Sequence, residues 1–146
     1  MPIELRPSTL IRACSDDTWE PDETGFDALL MPVHGLGGDL IDVVAWRAER
    51  PAKWWLRYRA AAFAGEHALF NANREGRPVF LASTPRSYLR QWGHAMVILD
   101  WSADVKAIVG SANRGIICEN TALAERVRDV VDRLPSERLQ ISTAAA

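Results

Sequence analysis

The second half of the chain alternates short, wholly apolar runs with helical patterns, and this alternation limits the folds that are open to it. The apolar runs lie in residues 77–82, 95–100 and 115–118. Consecutive apolar residues are typical of a strand that is buried on both faces of a sheet. Helical patterns occupy residues 60–74, 85–92, 103–109 and 121–134, with Thr84 and Ser102 as predicted N-caps. Strands that alternate with helices favour a parallel sheet with right-handed crossovers.

The first half of the chain predicts a hairpin. Two apolar runs, residues 26–33 and 40–47, flank the glycine-rich residues 34–39. Glycine permits the positive φ of a tight connection, so we expect a β-hairpin rather than a phosphate-binding loop, which would open a helix. Residues 14–24 are polar and contain Pro21, which favours a loop. We therefore predict an α/β fold, with a small, mostly parallel sheet of repeated β-α units preceded by an N-terminal β-hairpin.

The length and composition of the chain suit one compact domain, since 48% of its 146 residues are hydrophobic. We predict a single domain over residues 1–141. It would hold the hairpin and a basic-aromatic segment within residues 26–59 and a β/α core over residues 60–134. Residues 142–146 are expected to form a disordered tail. Because no signal peptide or bilayer-length apolar run is evident, we expect a cytoplasmic protein that does not contact membranes.

Charge is distributed unevenly along the chain, although the formal net charge of −2 gives no general attraction to nucleic acid. Residues 1–27 contain seven acidic residues and two arginines, whereas residues 42–60 contain five basic residues and two acidic ones. One interpretation is an exposed acidic loop and a separate, solvated basic face. The other is that the acidic segment lies over the basic one or competes for it.

The basic-aromatic segment, residues 46–59, interleaves cations with rings in the sequence WRAERPAKWWLRYR. Proteins bind single-stranded nucleic acid with cations along its backbone and with rings against its bases. The candidate binding residues, for nucleic acid or for a protein partner, are Arg47, Arg50, Lys53, Trp54, Trp55, Arg57 and Arg59. Trp54 and Trp55 must point in different directions in any regular structure, so at least one of them belongs to the core. Structural packing is the alternative role for this tryptophan pair.

Polar residues follow the predicted strands of the second half, where ligands gather in open parallel sheets. Asp100 and Glu119 are the carboxylates that directly follow such strands, and Ser83 follows a third. Two carboxylates can share a hard cation such as Mg²⁺. The alternative is that each accepts backbone N–H groups at a helix start. The three histidines show no zinc-binding spacing.

A longer pattern resembles a known family. The run AAFAGEHALFNANREGRPVFLASTPRSYLRQWGHAMVIL is similar to the Toprim region of phage and plasmid DNA primases, and LLMPVHGLGGDLIDVVAW resembles the hairpin that precedes it. The resemblance extends over residues 28–131. It implies that the family's catalytic Glu falls at Ser83, or at Thr84 if the register shifts by one residue, and that its Asp-x-Asp motif falls on Glu119 and Thr121. Because one of three acids is retained, the resemblance implies a non-catalytic relative.

Three functional hypotheses remain open from the sequence. The first is a small, non-catalytic Toprim-like protein of phage or prophage type that binds nucleic acid or a protein of replication or defence. The second is a residual Mg²⁺-dependent enzyme that acts on a nucleotide or phosphate ester through Asp100 and Glu119, with Ser83 beside them. The third is a protein-interaction module that uses its tryptophans as anchors.

Overall fold

The computed structural model describes residues 6–91, 93–132 and 141–144, which form two five-stranded sheets and four helices. The strands are β1 Arg6–Ala13, β2 Trp19–Pro21, β3 Phe26–His34, β4 Leu40–Arg47, β5 Arg50–Leu56, β6 Phe63–Ala64, β7 Val79–Ala82, β8 Ala95–Ile98, β9 Ile116–Cys118 and β10 Ile141–Thr143. The helices are α1 Glu66–Glu75, α2 Pro85–Arg90, α3 Val105–Gly110 and α4 Thr121–Asp132. None of the helices in these ranges is long and apolar enough to cross a membrane.

The first five strands form an antiparallel sheet in the order β2-β1-β3-β4-β5. The predicted hairpin is confirmed as β3 and β4, which pair directly across residues 35–39. The sheet is curled, and its two edges meet where Thr18 forms a parallel bridge with Leu56. There the Leu56 N–H donates to the carbonyl of Asp17 at 3.1 Å. The sheet is therefore a partly closed barrel.

Alternation along the strands gives this barrel two apolar faces. On β3, Ala28 and Leu30 join a cluster with Ile11, Trp19 and Ala45, to which β1, β2, β3 and β4 all contribute. The alternate residues of β3 face the other way, towards the second sheet. A strand that is buried on both faces therefore does not imply a parallel sheet in this chain.

The second sheet has the order β10-β9-β7-β8-β6, in which β6 runs antiparallel to β8 and the other pairs are parallel. The predicted fold class is therefore wrong. The chain is not a mostly parallel sheet of repeated β-α units with one hairpin, because five of the strands form the antiparallel barrel and the second sheet is mixed. The error began in residues 14–24, where a loop was predicted and β2 is found.

Several boundaries also differ from the predicted ones. The helix predicted over residues 60–74 begins at Glu66, after strand β6. The tail predicted to be disordered contributes Ser142 and Thr143 to β10, which pairs with β9, while residues 145–146 lie outside the described part. Predicted helix positions 92 and 133–134 also lie outside it. Thr84 caps α2 as predicted, but α3 is capped by Asp104 instead of Ser102.

The two sheets share an apolar cluster. Met31, Val44 and Trp46 of the barrel pack in the same cluster as Val97 and Leu99 from β8 and its end. The opposite face of the second sheet is covered by α1, α3 and α4 through a separate cluster. The barrel therefore lies against one face of the second sheet, and β5 lies close to the carboxyl end of β8.

A buried carboxylate holds the connection between the two sheets. Asp42 is fully buried and accepts four backbone hydrogen bonds. Its Oδ1 accepts from Val43 and Tyr58, both at 2.9 Å, and its Oδ2 accepts from Ala60 at 2.8 Å and Ala61 at 3.2 Å. Asp42 therefore fixes the path of the chain where it leaves the barrel.

Candidate functional site

One face of the barrel stacks cations on aromatic rings. The guanidinium carbon of Arg47 lies 4.0 Å from the centroid of the Phe26 ring. That of Arg57 lies 5.6 Å from the Trp19 centroid and 5.0 Å from that of Tyr58. Among the residues that the structure describes, neither arginine forms an ion pair. Within the described ranges, no carboxylate neutralises their charges.

The two adjacent tryptophans of β5 point to opposite sides, as predicted. The Trp54 indole Nε1 donates to the carbonyl of Leu99 at 2.9 Å, which ties β5 to the end of β8. The Trp55 ring lies 5.4 Å from Phe26 and packs with the barrel cluster. Lys53 extends over Trp55 at 5.8 Å. Both tryptophans are partly buried, so each has a packing role and also retains exposed ring surface.

These contacts define the aromatic–basic face, which consists of Trp19, Phe26, Arg47, Lys53, Trp55, Arg57 and Tyr58. Arg50 extends the positive charge of this face, because it lies directly opposite Arg47 in the β4–β5 pair. Like charges directly opposite each other destabilise a sheet. The close placement of these two arginines therefore costs stability and concentrates positive charge at one end of β5.

The opposite side of β5 borders a cavity of about 340 Å³ between the barrel and the second sheet, which we call the inter-sheet cavity. Its lining residues are Asp17, Ala52, Lys53, Trp54, Leu56, Arg59, Leu99, Asp100, Trp101, Ser102 and Arg126. Its volume lies at the small end of the range for ligand pockets, about 300–1,000 Å³. The cavity brings together two of the predicted groups, the basic-aromatic segment and Asp100.

Arg59, Asp100 and Ser102 form a polar network in this cavity. Arg59 Nη2 lies 3.3 Å from Asp100 Oδ2 and donates to Ser102 Oγ at 3.0 Å. Asp100 Oδ1 accepts from the Ser102 N–H at 3.0 Å and from its hydroxyl at 2.5 Å. Burial acts to raise the pKa of Asp100, but the hydrogen bonds from Ser102 and the Arg59 charge outweigh it, so this pKa lies below its ordinary value. Asp100 is therefore a carboxylate near neutral pH.

The acidic loop before β2 lies against the basic strand, in agreement with the second interpretation of the charge pattern. Lys53 Nζ lies 2.9 Å from Asp17 Oδ1, and Arg59 Nη1 donates to the carbonyl of Asp16 at 3.3 Å. Asp17 and Arg59 are also the non-glycine residues with positive φ in the described part, at 61° and 53°. Such strained conformations cluster at binding sites. Here both strained residues line the same cavity.

Sequence reasoning missed the contribution of Trp101 and Arg126 to this cavity. The guanidinium carbon of Arg126, on α4, lies 3.9 Å from the centroid of the Trp101 ring, and burial lowers the pKa of this arginine. The Trp101 Nε1 is buried and has no hydrogen-bond partner among the described residues. The position of Trp101 at the end of a predicted strand was the available signal. No local pattern distinguished Arg126 from Arg128, the other arginine of α4.

The predicted two-carboxylate site is divided between separate groups. Glu119 Oε1 accepts from both the N–H and the hydroxyl of Ser83, each at 2.8 Å, so the ends of β7 and β9 are tied together. Asp100 is engaged with Arg59 and Ser102 instead, and Glu119 does not line the inter-sheet cavity. No group of three or more metal-binding side chains occurs within the described ranges. The magnesium site remains a prediction.

Comparisons of the chain with protein-family models, with curated protein sequences and with solved structures found no match.

Proposed function

We propose that this protein is a non-catalytic binding protein for single-stranded nucleic acid, and that the nucleic acid lies along β5. The observation that carries this proposal is the aromatic–basic face, where Arg47, Lys53 and Arg57 stack on aromatic rings. Single strands are bound by cations that follow the backbone together with rings that stack on bases. The face provides both kinds of group, on strands β2 to β5 and in the two residues that follow β5.

The charge of these cations is local, which suits binding to a polyanion. The whole chain carries a formal charge of −2, so any attraction to phosphate must come from a patch. Arg47 and Arg57 have no ion-pair partner in the described residues, and Arg50 lies opposite Arg47. Tyr58 is 62% exposed, so the face of its ring that Arg57 does not cover can stack on an unpaired base.

In this proposal the protein acts in the cytoplasm, and its resemblance to the Toprim region of primases reflects ancestry. A protein partner of replication or defence is the competing ligand, because arginine and aromatic residues also dominate protein interfaces. The two ligands differ in their response to salt. Binding to nucleic acid releases condensed counterions and weakens steeply with salt, whereas a protein interface that pairs only a few charges depends less steeply on salt.

Charge reversal at Arg57 is expected to weaken binding to a short single-stranded DNA by about tenfold and to flatten its salt dependence. The reason is that Arg57→Glu removes a phosphate contact and adds a repulsive charge. The measurement is the fluorescence anisotropy of a labelled oligothymidylate at several salt concentrations from about 50 to 200 mM.

The control for this measurement is Arg114→Glu, which reverses an exposed arginine before β9 that does not belong to the aromatic–basic face. Arg59→Gln provides a second test, at another of the candidate binding residues predicted from the sequence. Glutamine avoids placing a new carboxylate beside Asp100. Equal affinities for the wild type and Arg57→Glu, with matching thermal melts, would contradict the proposed function.

The contact between the acidic loop and Lys53 predicts a variant that binds more tightly. Asp17→Asn removes the partner of Lys53 and leaves that ammonium free for phosphate, while asparagine tolerates the positive φ at this position. We expect affinity to rise up to about fivefold at low salt, the scale of an exposed ion pair. The same anisotropy titration measures this, and a weaker affinity would show that Asp17 itself takes part in binding.

A further inference from the structure

The inter-sheet cavity is chemically different from the aromatic–basic face. Its charged lining groups are three cations, Lys53, Arg59 and Arg126, and two carboxylates, Asp17 and Asp100. A phosphate placed here would meet both carboxylates. The cavity therefore suits a neutral, flat ligand that offers hydrogen-bond donors as well as acceptors, and two indole rings, Trp54 and Trp101, lie in its wall.

We propose that the inter-sheet cavity binds one unpaired guanine base of the single strand. This inference rests on the proposed function, since the guanine belongs to the nucleic acid that lies along β5. The backbone would remain on the aromatic–basic face while one nucleotide turns its base across the edge of β5. Lys53 belongs to both surfaces, because it lies over Trp55 and also lines the cavity. It therefore lies where the nucleotide would pass from the aromatic–basic face into the cavity.

Guanine matches the neighbouring side chains Arg59 and Asp100. Its N1–H and N2–H groups are adjacent donors for one carboxylate, and its O6 and N7 are acceptors for a guanidinium fork. These two edges meet at O6, so a base that contacts both side chains needs a carboxylate and a guanidinium side by side. In the structure Arg59 Nη2 lies 3.3 Å from Asp100 Oδ2. Adenine and cytosine have an exocyclic amino group but no ring N–H beside it, and thymine has a ring N–H but no amino group.

The network leaves hydrogen-bonding capacity for such a base. A carboxylate offers about four lone-pair sites. Asp100 Oδ1 already accepts twice from Ser102, so the N1–H and N2–H of the base would share Oδ2, whose one contact among the described residues is the long 3.3 Å one with Arg59. The Arg59 side chain is 40% exposed, and its fork would exchange its hydrogen bonds to Asp16 and Ser102 for bonds to O6 and N7 of the base.

A flat surface for the base is present in the same wall. Arg126 lies 3.9 Å from the centroid of Trp101, so its guanidinium is held against the indole. Proteins stack unpaired bases on aromatic rings and on guanidinium planes alike. Burial lowers the pKa of Arg126. This direction indicates a partly desolvated guanidinium, and a base stacked on its face would add a cation–π contact.

The test compares oligothymidylates that carry guanine, hypoxanthine, adenine or thymine at the central position. Hypoxanthine lacks only the 2-amino group of guanine, so it isolates the contact between that amino group and Asp100. We expect the guanine oligonucleotide to bind about tenfold more tightly than the all-thymine one, and hypoxanthine to fall between them. In Asp100→Asn the ratio of guanine to thymine affinity should fall below about twofold. In the exposed control Asp39→Asn it should be unchanged.

The outcomes separate this inference from the function on which it rests. If no oligonucleotide binds in a salt-dependent way, the proposed function and this inference are both overturned. If all four central bases bind equally well, single-strand binding stands and the guanine site is overturned. A guanine preference that persists in Asp100→Asn also overturns the assignment, provided that the thermal melt of this variant matches that of the wild type.

Discussion

Replacement of Asp42 by asparagine is expected to lower the free energy of unfolding by about 3 kcal/mol, since buried donors without partners cost about 1–3 kcal/mol each. The carboxylate of Asp42 accepts four backbone N–H groups through its two oxygens. Asparagine has one oxygen, and its amide nitrogen would face two N–H donors, either those of Ala60 and Ala61 or those of Val43 and Tyr58. Those two donors would lose their acceptor inside a buried site.

Urea denaturation followed by circular dichroism measures this change. The control is Asp39→Asn, three positions earlier in the chain, where the side chain is exposed and makes no hydrogen bond within the described residues. Its expected effect is within about 0.5 kcal/mol, as for ordinary surface substitutions. Equal unfolding midpoints for Asp42→Asn and the wild type would show that the connection between the sheets does not depend on this carboxylate.

Gly65→Ala is expected to destabilise the protein by more than about 3 kcal/mol, because strain and a backbone clash combine at this position. Gly65 has a φ of 105°, a conformation that L-residues rarely adopt. An added Cβ would lie 2.8 Å from the Cα of Met96 and still closer to the carbonyl oxygen of Ala95. Both contacts are with the backbone of central strand β8, which cannot move aside as a flexible side chain would.

The other end of α1 offers a matched control. Gly76 also has a positive φ, 69°, but an added Cβ there would have no atom within 4 Å. Gly76→Ala therefore measures the conformational cost alone, about 1–2 kcal/mol. Thermal unfolding of both variants gives the comparison. If the two substitutions cost the same, the close approach of Gly65 to β8 is not a constraint on the fold.

Local pattern was sufficient to predict many of the elements. The apolar runs before Ser83 and Asp100 are β7 and β8, and Thr84 followed by Pro85 begins α2. The glycine-rich residues 35–39 do connect a hairpin. These features depend on contacts between neighbours in sequence and on the preferences of single residues, so a sequence carries them directly.

The N-terminal strands could not be predicted in the same way. Trp19 is the buried residue of β2, while Glu20 and Pro21 are exposed, so this three-residue strand has no apolar alternation. It exists because β1 pairs with it and because the Trp19 indole donates to the carbonyl of Val43 at 2.8 Å. Both partners are distant in sequence. Because β1 and β2 were not predicted, the hairpin was assigned as an addition to a parallel sheet, whereas it is part of a barrel.

The candidate site was likewise predicted only in part from the sequence. The sequence by itself determined its chemistry, namely a basic strand that carries two adjacent tryptophans and a carboxylate after an apolar strand. Only the tertiary structure decided that Arg59 meets Asp100 and that Arg126 covers Trp101. Arg59 follows β5 and Asp100 follows β8, two strands of different sheets, and their contact depends on the apolar cluster that the sheets share. Burial of that cluster is non-directional, so the pattern of apolar residues predicts that faces will be covered but not which face covers which.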